Sequence, residues 1–312
     1  MHILLAVVVG VVSGVLQEHP QLKVAVNLVN VSFTVHDAEG RFVPDLTADD
    51  FEVLEDGEAQ KIQFFARTAN LPLSVGLVMD FSGSQEHFVK AHHQDLEEFL
   101  KDVLGPRDRA LLLCFGNHLR LVQDFTSSSK ELMEGLKDFE HNKRNYPELG
   151  PPDEERELGT GFYDAIYYSI TEKMAGAASG QKALLVFSDG EDNSSAHHML
   201  DAIETAQREN VRVYGLRYTE SKHGHLTARN KYGIRVMERI ARETGAADYD
   251  ASKGDLAAWL QEIREELRSS YDMAYPSTHP IRDGSFRKIT VRAKRAGLVV
   301  RARPGYFAEP SP

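Results

Sequence analysis

Short apolar runs alternate with amphipathic segments over most of the chain, from about residue 71 to residue 270. Apolar runs of this kind predict buried strands, and segments in which apolar residues recur every three or four positions predict helices. The predicted strands are 72–80, 109–115, 119–125, 182–188 and 211–217, and the predicted helices are 85–104, 128–139, 161–176, 196–209, 232–243 and 254–269. Strand–helix alternation is typical of a mainly parallel sheet covered by helices on both faces. We expect the 119–125 strand to be short and to lie at an edge of that sheet.

Alternating patterns before this region predict antiparallel strands. Residues 23–36 alternate between apolar and other residues, but the parity of the apolar positions changes midway, which predicts two strands or one bulged strand. Asp56-Gly57 lies between the apolar stretches 51–54 and 61–65. Because both turn residues tolerate positive φ, these two stretches are predicted to form a hairpin.

The C-terminal segment has the same β character. Residues 286–294 alternate strictly and residues 298–303 repeat the pattern after a turn, which predicts a half-buried hairpin. Residues 282–303 contain eight Lys or Arg, whereas residues 45–58 contain seven Asp or Glu and no basic residue. Pairing between the two segments would neutralise both blocks. Since each exposed ion pair contributes under about 1 kcal/mol, the charges predict which strands pair rather than how stable they are.

These patterns predict two folded units. Residues 70–270 are expected to form an α/β domain with a doubly wound, mainly parallel sheet. This domain is expected to be inserted in a small antiparallel β-sandwich built from residues 22–68 and 271–308. A chain of 312 residues is long for one domain and sufficient for two.

A hydrophobic segment at residues 1–16 stands apart from both units. The fourteen residues from Ile3 to Leu16 are almost all apolar, which is too short to span a bilayer and suits the core of a secretory signal. No Lys or Arg precedes this segment, so a start codon assigned too far downstream and an unusual core strand stay open as alternatives. We expect an exported protein, located in the periplasm, outside the cell or on its surface.

Composition and charge narrow the range of partners. A net charge of −11 argues against a nucleic acid or an anionic membrane as the partner, because both require a basic surface. The single cysteine, Cys114, lies within an apolar strand, where a buried thiol is expected, and it cannot form an internal disulfide.

Oxygen-bearing side chains occur at three junctions between predicted elements. Asp80 ends a strand, Ser82 and Ser84 follow it at alternate positions, Thr160 precedes a helix and Asp189 follows another strand. Loops at the carboxyl ends of parallel strands meet at one edge of a sheet, so we expect these side chains to lie together. Hydroxyl and carboxylate oxygens suit a hard cation such as Mg2+, and no soft ligand lies nearby in sequence.

These three junctions resemble the metal-ion-dependent adhesion site of the von Willebrand factor type A superfamily. The matching sequences are Asp80-Phe-Ser-Gly-Ser84, Gly159-Thr160-Gly161 and Ser188-Asp189-Gly190. The order of elements over residues 71–270 is also similar, including a short edge strand that runs antiparallel in that family. The flanking β segments resemble those of bacterial exported proteins with a von Willebrand-related domain. The resemblance implies a fold and a site, but it does not imply a particular ligand.

The resemblance also implies roles for the residues. Ser82, Ser84 and Thr160 would supply neutral oxygens to Mg2+, directly or through water, while Asp80 and Asp189 would balance its charge, largely through bridging waters. Mn2+ and Ca2+ are alternatives to Mg2+. An open coordination position would take an Asp or Glu of a protein partner, which describes an adhesion-type binding module rather than an enzyme. The expected rim or accessory residues are Phe81, Gly159, Glu191 and Asp192, and loops 141–157 and 219–230 are expected to border the site.

Other functions have weaker support in the sequence. A Mg2+-dependent phosphoesterase with Asp80 as nucleophile is the main enzymatic alternative, although such chemistry generally uses more carboxylates, a lysine or a second metal. A structural scaffold with an unused site is the other alternative. Nucleophile-elbow, phosphate-loop and dinucleotide-binding motifs are absent from the sequence. The histidine pairs lack the spacing of a zinc site.

Overall fold

The computed structural model describes residues 28–83, 85–151, 159–177, 180–219, 225–279 and 283–308. The predicted hydrophobic segment 1–16, the start of the alternating segment 23–36 and Ser84 lie outside these ranges. The strands, numbered along the chain, are β1 Leu28–His36, β2 Phe51–Glu55, β3 Glu58–Gln60, β4 Phe64–Arg67, β5 Leu73–Asp80, β6 Arg109–Phe115, β7 Leu119–Thr126, β8 Glu148–Leu149, β9 Gln181–Ser188, β10 Val211–Arg217, β11 Asp248–Asp250, β12 Tyr271–Pro276, β13 Phe286–Ala293, β14 Val299–Ala302 and β15 Gly305–Phe307. The α-helices are α1 Glu86–Ala91, α2 His93–Val103, α3 Ser129–Glu140, α4 Phe162–Tyr168, α5 Met199–Arg208, α6 Ala228–Glu243 and α7 Leu256–Ser269, and a π-helical segment Ser169–Met174 continues α4.

A seven-stranded sheet forms the centre of the molecule, in the order β11-β10-β9-β5-β6-β7-β8. The neighbours from β11 to β6 pair in parallel, and β7 runs antiparallel to β6. The predicted α/β fold class with an antiparallel strand near one edge is therefore confirmed. The expectation that β7 forms the edge is wrong, because the two-residue β8 pairs outside it. Strands as short as β8 and β11 carry no periodicity that a sequence pattern could reveal.

Helices cover both faces of this sheet. Along β5, Leu77 and Met79 belong to a core shared with α2 and α7, whereas Val78 belongs to the opposite core with α4, α5 and α6. Alternate residues of one strand therefore serve two cores. This explains why β5 is apolar throughout instead of alternating.

Several helix boundaries differ from the predicted ones. The helix predicted over 85–104 is two helices, because His92 leaves the helical conformation with φ −114° and ψ 21°. The helix predicted at 232 begins four residues earlier, at Ala228, where the Thr227 hydroxyl accepts a hydrogen bond from the Asn230 N–H at 3.1 Å. A polar capping residue sets the start of the second of these helices, and apolar spacing does not indicate such an end. Within the described ranges, no helix is both long enough and apolar enough to cross a bilayer.

The N- and C-terminal segments build two four-stranded antiparallel sheets, in the orders β14-β1-β12-β4 and β15-β13-β2-β3. The sheets share one apolar core, in which Phe33 of the first contacts Phe51 of the second with ring centroids 5.0 Å apart. This is the predicted sandwich of terminal segments around the α/β region. The domain boundaries derived from it remain a prediction.

The strand pairing within the sandwich corrects two expectations. The predicted C-terminal hairpin is wrong, because β13 pairs with β2 and β15 while β14 pairs with β1 in the other sheet. Alternation along these strands identified a buried face but could not identify a partner. The Asp56-Gly57 turn is confirmed, with φ of 49° and 92°, yet its second strand is β3, and β4 belongs to the other sheet.

The complementary charge blocks do meet. Strand β13 lies antiparallel to β2 with Arg292 opposite Glu52, and Arg295 lies 3.6 Å from Asp50. The charges thus indicated correctly that these two segments pair.

Buried polar contacts join the sandwich to the α/β domain. The Arg303 side chain, in the turn after β14, donates to the backbone carbonyl of Gln207 at the end of α5 and to that of Asn30 in β1, both at 2.6 Å. On α7, the fully buried Glu266 carboxylate lies 3.1 Å from Arg301 of β14 and 3.7 Å from Arg212 of β10. The two units therefore meet through specific hydrogen-bonded groups as well as apolar surface.

Candidate metal centre

Asp80 occupies the carboxyl end of the central strand β5, between β6 and β9. Its side chain is completely buried. Its Oδ1 accepts the backbone N–H of Ser82 at 2.8 Å, and its Oδ2 accepts the Ser188 hydroxyl at 2.7 Å. The loop after β5 and the last residue of β9 therefore hold both oxygens in fixed directions.

Asp189 follows β9 and lies beside Asp80, because β9 pairs in parallel with β5 up to the contact of Met79 with Phe187. Asp189 is 9% exposed. Its Oδ1 accepts the Glu191 N–H at 3.0 Å and its Oδ2 accepts from Gln85 Nε2 at 3.2 Å. Sequence reasoning missed Gln85, whose amide joins the first of the three loops to the third.

Thr160 lies between the end of β6 and the loop that follows Asp189. The Gly161 N–H donates to the Gly116 carbonyl at 2.8 Å. Thr160 donates its N–H to Asn193 Oδ1 at 2.7 Å and accepts the Asn193 N–H at its carbonyl at 3.1 Å. The loops of Asp80, Thr160 and Asp189 are thus neighbours at the edge where the sequence placed them.

Two of these loops pack tightly against neighbouring residues. Gly159 has φ +132°, and a Cβ there would lie 2.6 Å from Asn193 Oδ1. A Cβ on Gly233 of α6 would lie 2.3 Å from the Asp189 carbonyl oxygen. Only glycine fits at these two positions without displacement. The backbone around Thr160 and Asp189 is therefore set by contacts within the protein.

The expected accessory acids have protein partners of their own. Asp192 Oδ1 accepts the N–H of Phe162 at 2.9 Å, at the start of α4. Glu191 forms an ion pair of 2.7 Å with Arg229 of α6. The ring of Phe81 contacts Phe139 at 5.0 Å and lies away from the carboxylates, in a neighbouring groove. These contacts give each residue a structural role beside the predicted site.

Two acidic groups lie close together here, and in the described part of the chain neither forms an ion pair with a basic side chain, although the charge of Arg229 lowers the pKa of Asp189. Burial and, to a smaller extent, the nearby charge of Asp189 together raise the pKa of Asp80 to about 6, against the hydrogen bonds from Ser82 and Ser188. Burial also raises the pKa of Asp189. Across the described chain, no Lys or Arg side chain lies within ion-pair distance of Asp80. A shift of two pKa units corresponds to about 3 kcal/mol, which is the cost of keeping this carboxylate charged.

A divalent cation fits this arrangement. It would offset the charge cost at Asp80 and Asp189, and the donors at hand are carboxylate and hydroxyl oxygens, which hard cations prefer. A zinc-type cluster has no support in the described ranges, where no three His, Cys, Asp or Glu side chains come together as a metal site. His197, for example, hydrogen-bonds Asp164 of α4 at 2.7 Å.

In architecture, the central sheet with its antiparallel strand and flanking helices agrees with the fold that the resemblance to the von Willebrand factor type A superfamily implies. No protein-family model matches the sequence, and no curated protein matches it. Similarity is found among solved structures. Proximal thread matrix protein 1 of the mussel byssus, in a structure titled as having a zinc-occupied metal-ion-dependent adhesion site, aligns with a TM-score of 0.47 and 14% identity.

The mussel alignment covers 68% of this chain and 49% of that one, so the match spans about half of the mussel protein. The protein BatB from Bacteroides thetaiotaomicron aligns with a TM-score of 0.43 and 12% identity, over 64% of this chain and 97% of that one. The pilus adhesin SpaC from Lactobacillus rhamnosus GG aligns with a TM-score of 0.44 and 10% identity, over 83% and 48%. At these values the likeness is distant and carries no conclusion about function.

Proposed function

We propose that this chain is a metal-ion-dependent protein-binding module whose cation takes a carboxylate of a protein partner. The proposed ligands are Asp80, Ser82, Ser84, Thr160 and Asp189, with Mg2+ as the expected ion and Mn2+ or Ca2+ as substitutes. No catalytic role is proposed for any of these residues.

One observation carries the proposal. The Asp80 carboxylate is fully buried at the carboxyl end of the central strand, next to the like charge of Asp189, and it forms no ion pair with any described Lys or Arg. Buried charges are normally paired or bound to metals, because an isolated buried ion is costly. A cation bound by the two acids would offset the cost of burying their charges.

Neighbouring residues would orient the proposed ligands of such a site. Hydrogen bonds from Ser82 and Ser188 orient Asp80. Gln85 orients Asp189, and Asn193 holds the Thr160 backbone. A bound Mg2+ prefers six oxygens and keeps several waters, one of which a partner carboxylate can replace. A site built mainly of neutral hydroxyls leaves the cation enough charge to attract that carboxylate.

Calorimetry with Mg2+, Mn2+ and Ca2+ tests the metal part of the proposal. Wild type is expected to bind, Asp80→Ala is expected not to bind, and Asp102→Asn is the control because Asp102 is 65% exposed and pairs only loosely with Arg264 at 3.9 Å. Unchanged metal affinity in Asp80→Ala would refute the assignment of Asp80.

Capture experiments test the binding part. Proteins from the native cell envelope should be retained by wild type with Mg2+, and released by a chelator or by Asp80→Ala. Turnover of general phosphatase or esterase substrates that requires both Mg2+ and Asp80 would favour the phosphoesterase alternative. Export, proposed from the hydrophobic segment 1–16, is tested by locating the full-length protein after cell fractionation.

A further inference from the structure

A groove of about 660 Å3 lies beside the proposed metal site. Phe81, the residue after Asp80, forms one of its walls, and Gly116, whose carbonyl holds the Thr160 loop, forms another. Its volume falls in the range of ligand-binding clefts. The groove therefore begins at the metal-binding loops and runs away from them along the sheet edge.

A row of ring contacts follows the groove from Phe81, the residue after Asp80, to the guanidinium group of Arg144. The Phe81 ring contacts Phe139 at 5.0 Å, Phe139 contacts Tyr146 at 5.4 Å, and the Arg144 guanidinium lies 5.0 Å from the centre of the Tyr146 ring. Aromatic walls of this kind supply apolar contact area together with defined geometry. Arg144 marks the far end of the row.

Arg144 places a positive charge in the groove that feels the charge of Asp138 but forms no ion pair among the described residues. The two nearby acids are already matched, since Glu148 pairs with Arg120 at 3.0 Å and Asp138 pairs with Lys143 at 2.7 Å. Arg144 is exposed, and among the described residues no carboxylate lies within ion-pair distance of it. In a protein of net charge −11, the groove thus presents a cation and aromatic rings beside the proposed metal site.

We infer that the groove binds an extended acidic peptide segment of the partner, in which a second carboxylate pairs with Arg144. This inference rests on the proposed function, because the first carboxylate is the one offered to the metal. An extended peptide advances about 3.3 Å per residue, so each ring contact corresponds to one or two residues. The second Asp or Glu is therefore expected about three to five residues from the first, with an apolar residue between them over the Phe139 ring.

Synthetic fluorescent peptides provide the probe. Each peptide has a Gly/Ser background with one Asp, a Leu two residues after the Asp and a Glu three, four or five residues after the Asp. Each is compared with a control peptide in which Gln replaces the Glu. Binding is measured by anisotropy with Mg2+ and with a chelator. The expected result is Mg2+-dependent binding in which at least one Glu peptide binds about three- to tenfold tighter than its Gln partner.

Variants assign that preference to the groove. Arg144→Gln is expected to remove the preference for Glu over Gln while leaving the Mg2+ dependence intact, and Arg144→Glu is expected to reverse it. Lys130→Gln is the matched control, because Lys130 is an 82% exposed cation at the opposite end of α3 from Phe139. It is expected to leave the preference unchanged.

The outcomes separate the two proposals. Mg2+-dependent binding without a Glu preference, or a preference that survives in Arg144→Gln, overturns the inference and leaves the metal site standing. A preference that depends on Arg144 but not on Mg2+ supports the groove and overturns the metal role. Absence of binding by every peptide with Mg2+ overturns the inference, and the calorimetry with Asp80→Ala then decides separately whether the metal role stands.

Discussion

Replacing Asp80 by Asn separates the cost of its charge from its use as a metal ligand. Asn is nearly the same shape and can still accept the Ser82 N–H that Asp80 accepts at 2.8 Å, while its amide NH2 would donate to the Ser188 hydroxyl instead of accepting from it. It removes a carboxylate whose pKa is raised from 3.8 to about 6, mainly by burial. Because the folded-state pKa lies above the unfolded one, the charge destabilises the fold at neutral pH, and the wild-type free energy of unfolding rises as pH falls from 6 towards 4.

The expected size of the effect follows from this shift. Two pKa units correspond to about 3 kcal/mol, and a domain of this size gains about 2–4 °C in melting temperature per kcal/mol. In chelator at pH 7, Asp80→Asn should therefore melt roughly 6–12 °C above wild type. Mg2+ at a hundred times its dissociation constant stabilises the native state by about 2.7 kcal/mol. It should raise wild type by a similar amount and leave Asp80→Asn unchanged.

Differential scanning calorimetry with Mg2+ and with chelator measures all four states, with Asp102→Asn as the control that should behave as wild type. The explanation is refuted if Asp80→Asn shows the same Mg2+-dependent rise, since Asp80 would then not be a ligand. It is also refuted if Asp80→Asn melts below wild type in chelator, because the buried carboxylate would then be stabilising. A wild type that fails to respond to Mg2+, Mn2+ and Ca2+ would instead support the scaffold alternative.

Three further predictions concern the fold around the site. Gly233→Ala should destabilise the protein by about 1–3 kcal/mol in urea titrations, because its Cβ would lie 2.3 Å from the Asp189 carbonyl oxygen. The control Gly176→Ala, whose Cβ would have no neighbour nearer than 3.9 Å, should change the free energy of unfolding by under about 0.5 kcal/mol. Arg303→Ala should lower the free energy of unfolding by about 2–4 kcal/mol, because the Gln207 and Asn30 carbonyls would lose their donor. The control Arg295→Ala, which removes a side chain that is 57% exposed, should lower it by under about 1 kcal/mol. Equal effects of the two variants would contradict the role of Arg303. Residues 70–270 expressed alone should be soluble and unfold cooperatively by circular dichroism, and an insoluble fragment would count against the predicted domain boundary.

Much of the fold could be predicted because local patterns and global topology agree. The apolar run that ends at Asp80 is buried over its whole length, which is what a central parallel strand requires. The same rule places loops after neighbouring strands at one edge, so Asp80 and Asp189 could be placed together without knowledge of any contact. The complementary charges around Glu52 and Arg292 likewise identified a strand pair.

The parts that could not be predicted depend on contacts between residues distant in sequence. Gln85 donates to Asp189 across 104 positions, and nothing in the local pattern of either residue indicates this hydrogen bond. The alternating pattern of β14 is compatible with pairing to either β13 or β1. In the structure β14 pairs with β1, because residues 294–298 connect one sheet of the sandwich to the other. Arg144 lay in a loop expected to border the site, but its place at the end of a row of aromatic rings requires coordinates.

The protein holds the proposed ligands in place through its own contacts, so a metal is not required to order them. Backbone and hydroxyl hydrogen bonds fix Asp80, the Asn193 side chain fixes Thr160, and close backbone contact with Gly233 fixes Asp189. Since these contacts do not involve an ion, removal of metal should abolish carboxylate binding without unfolding the domain. Binding energy is then not used to order the loops, which favours affinity for the partner. Near-identical far-ultraviolet circular dichroism spectra with Mg2+ and with chelator are expected, and a loss of helix signal in chelator would show instead that the cation organises the loops.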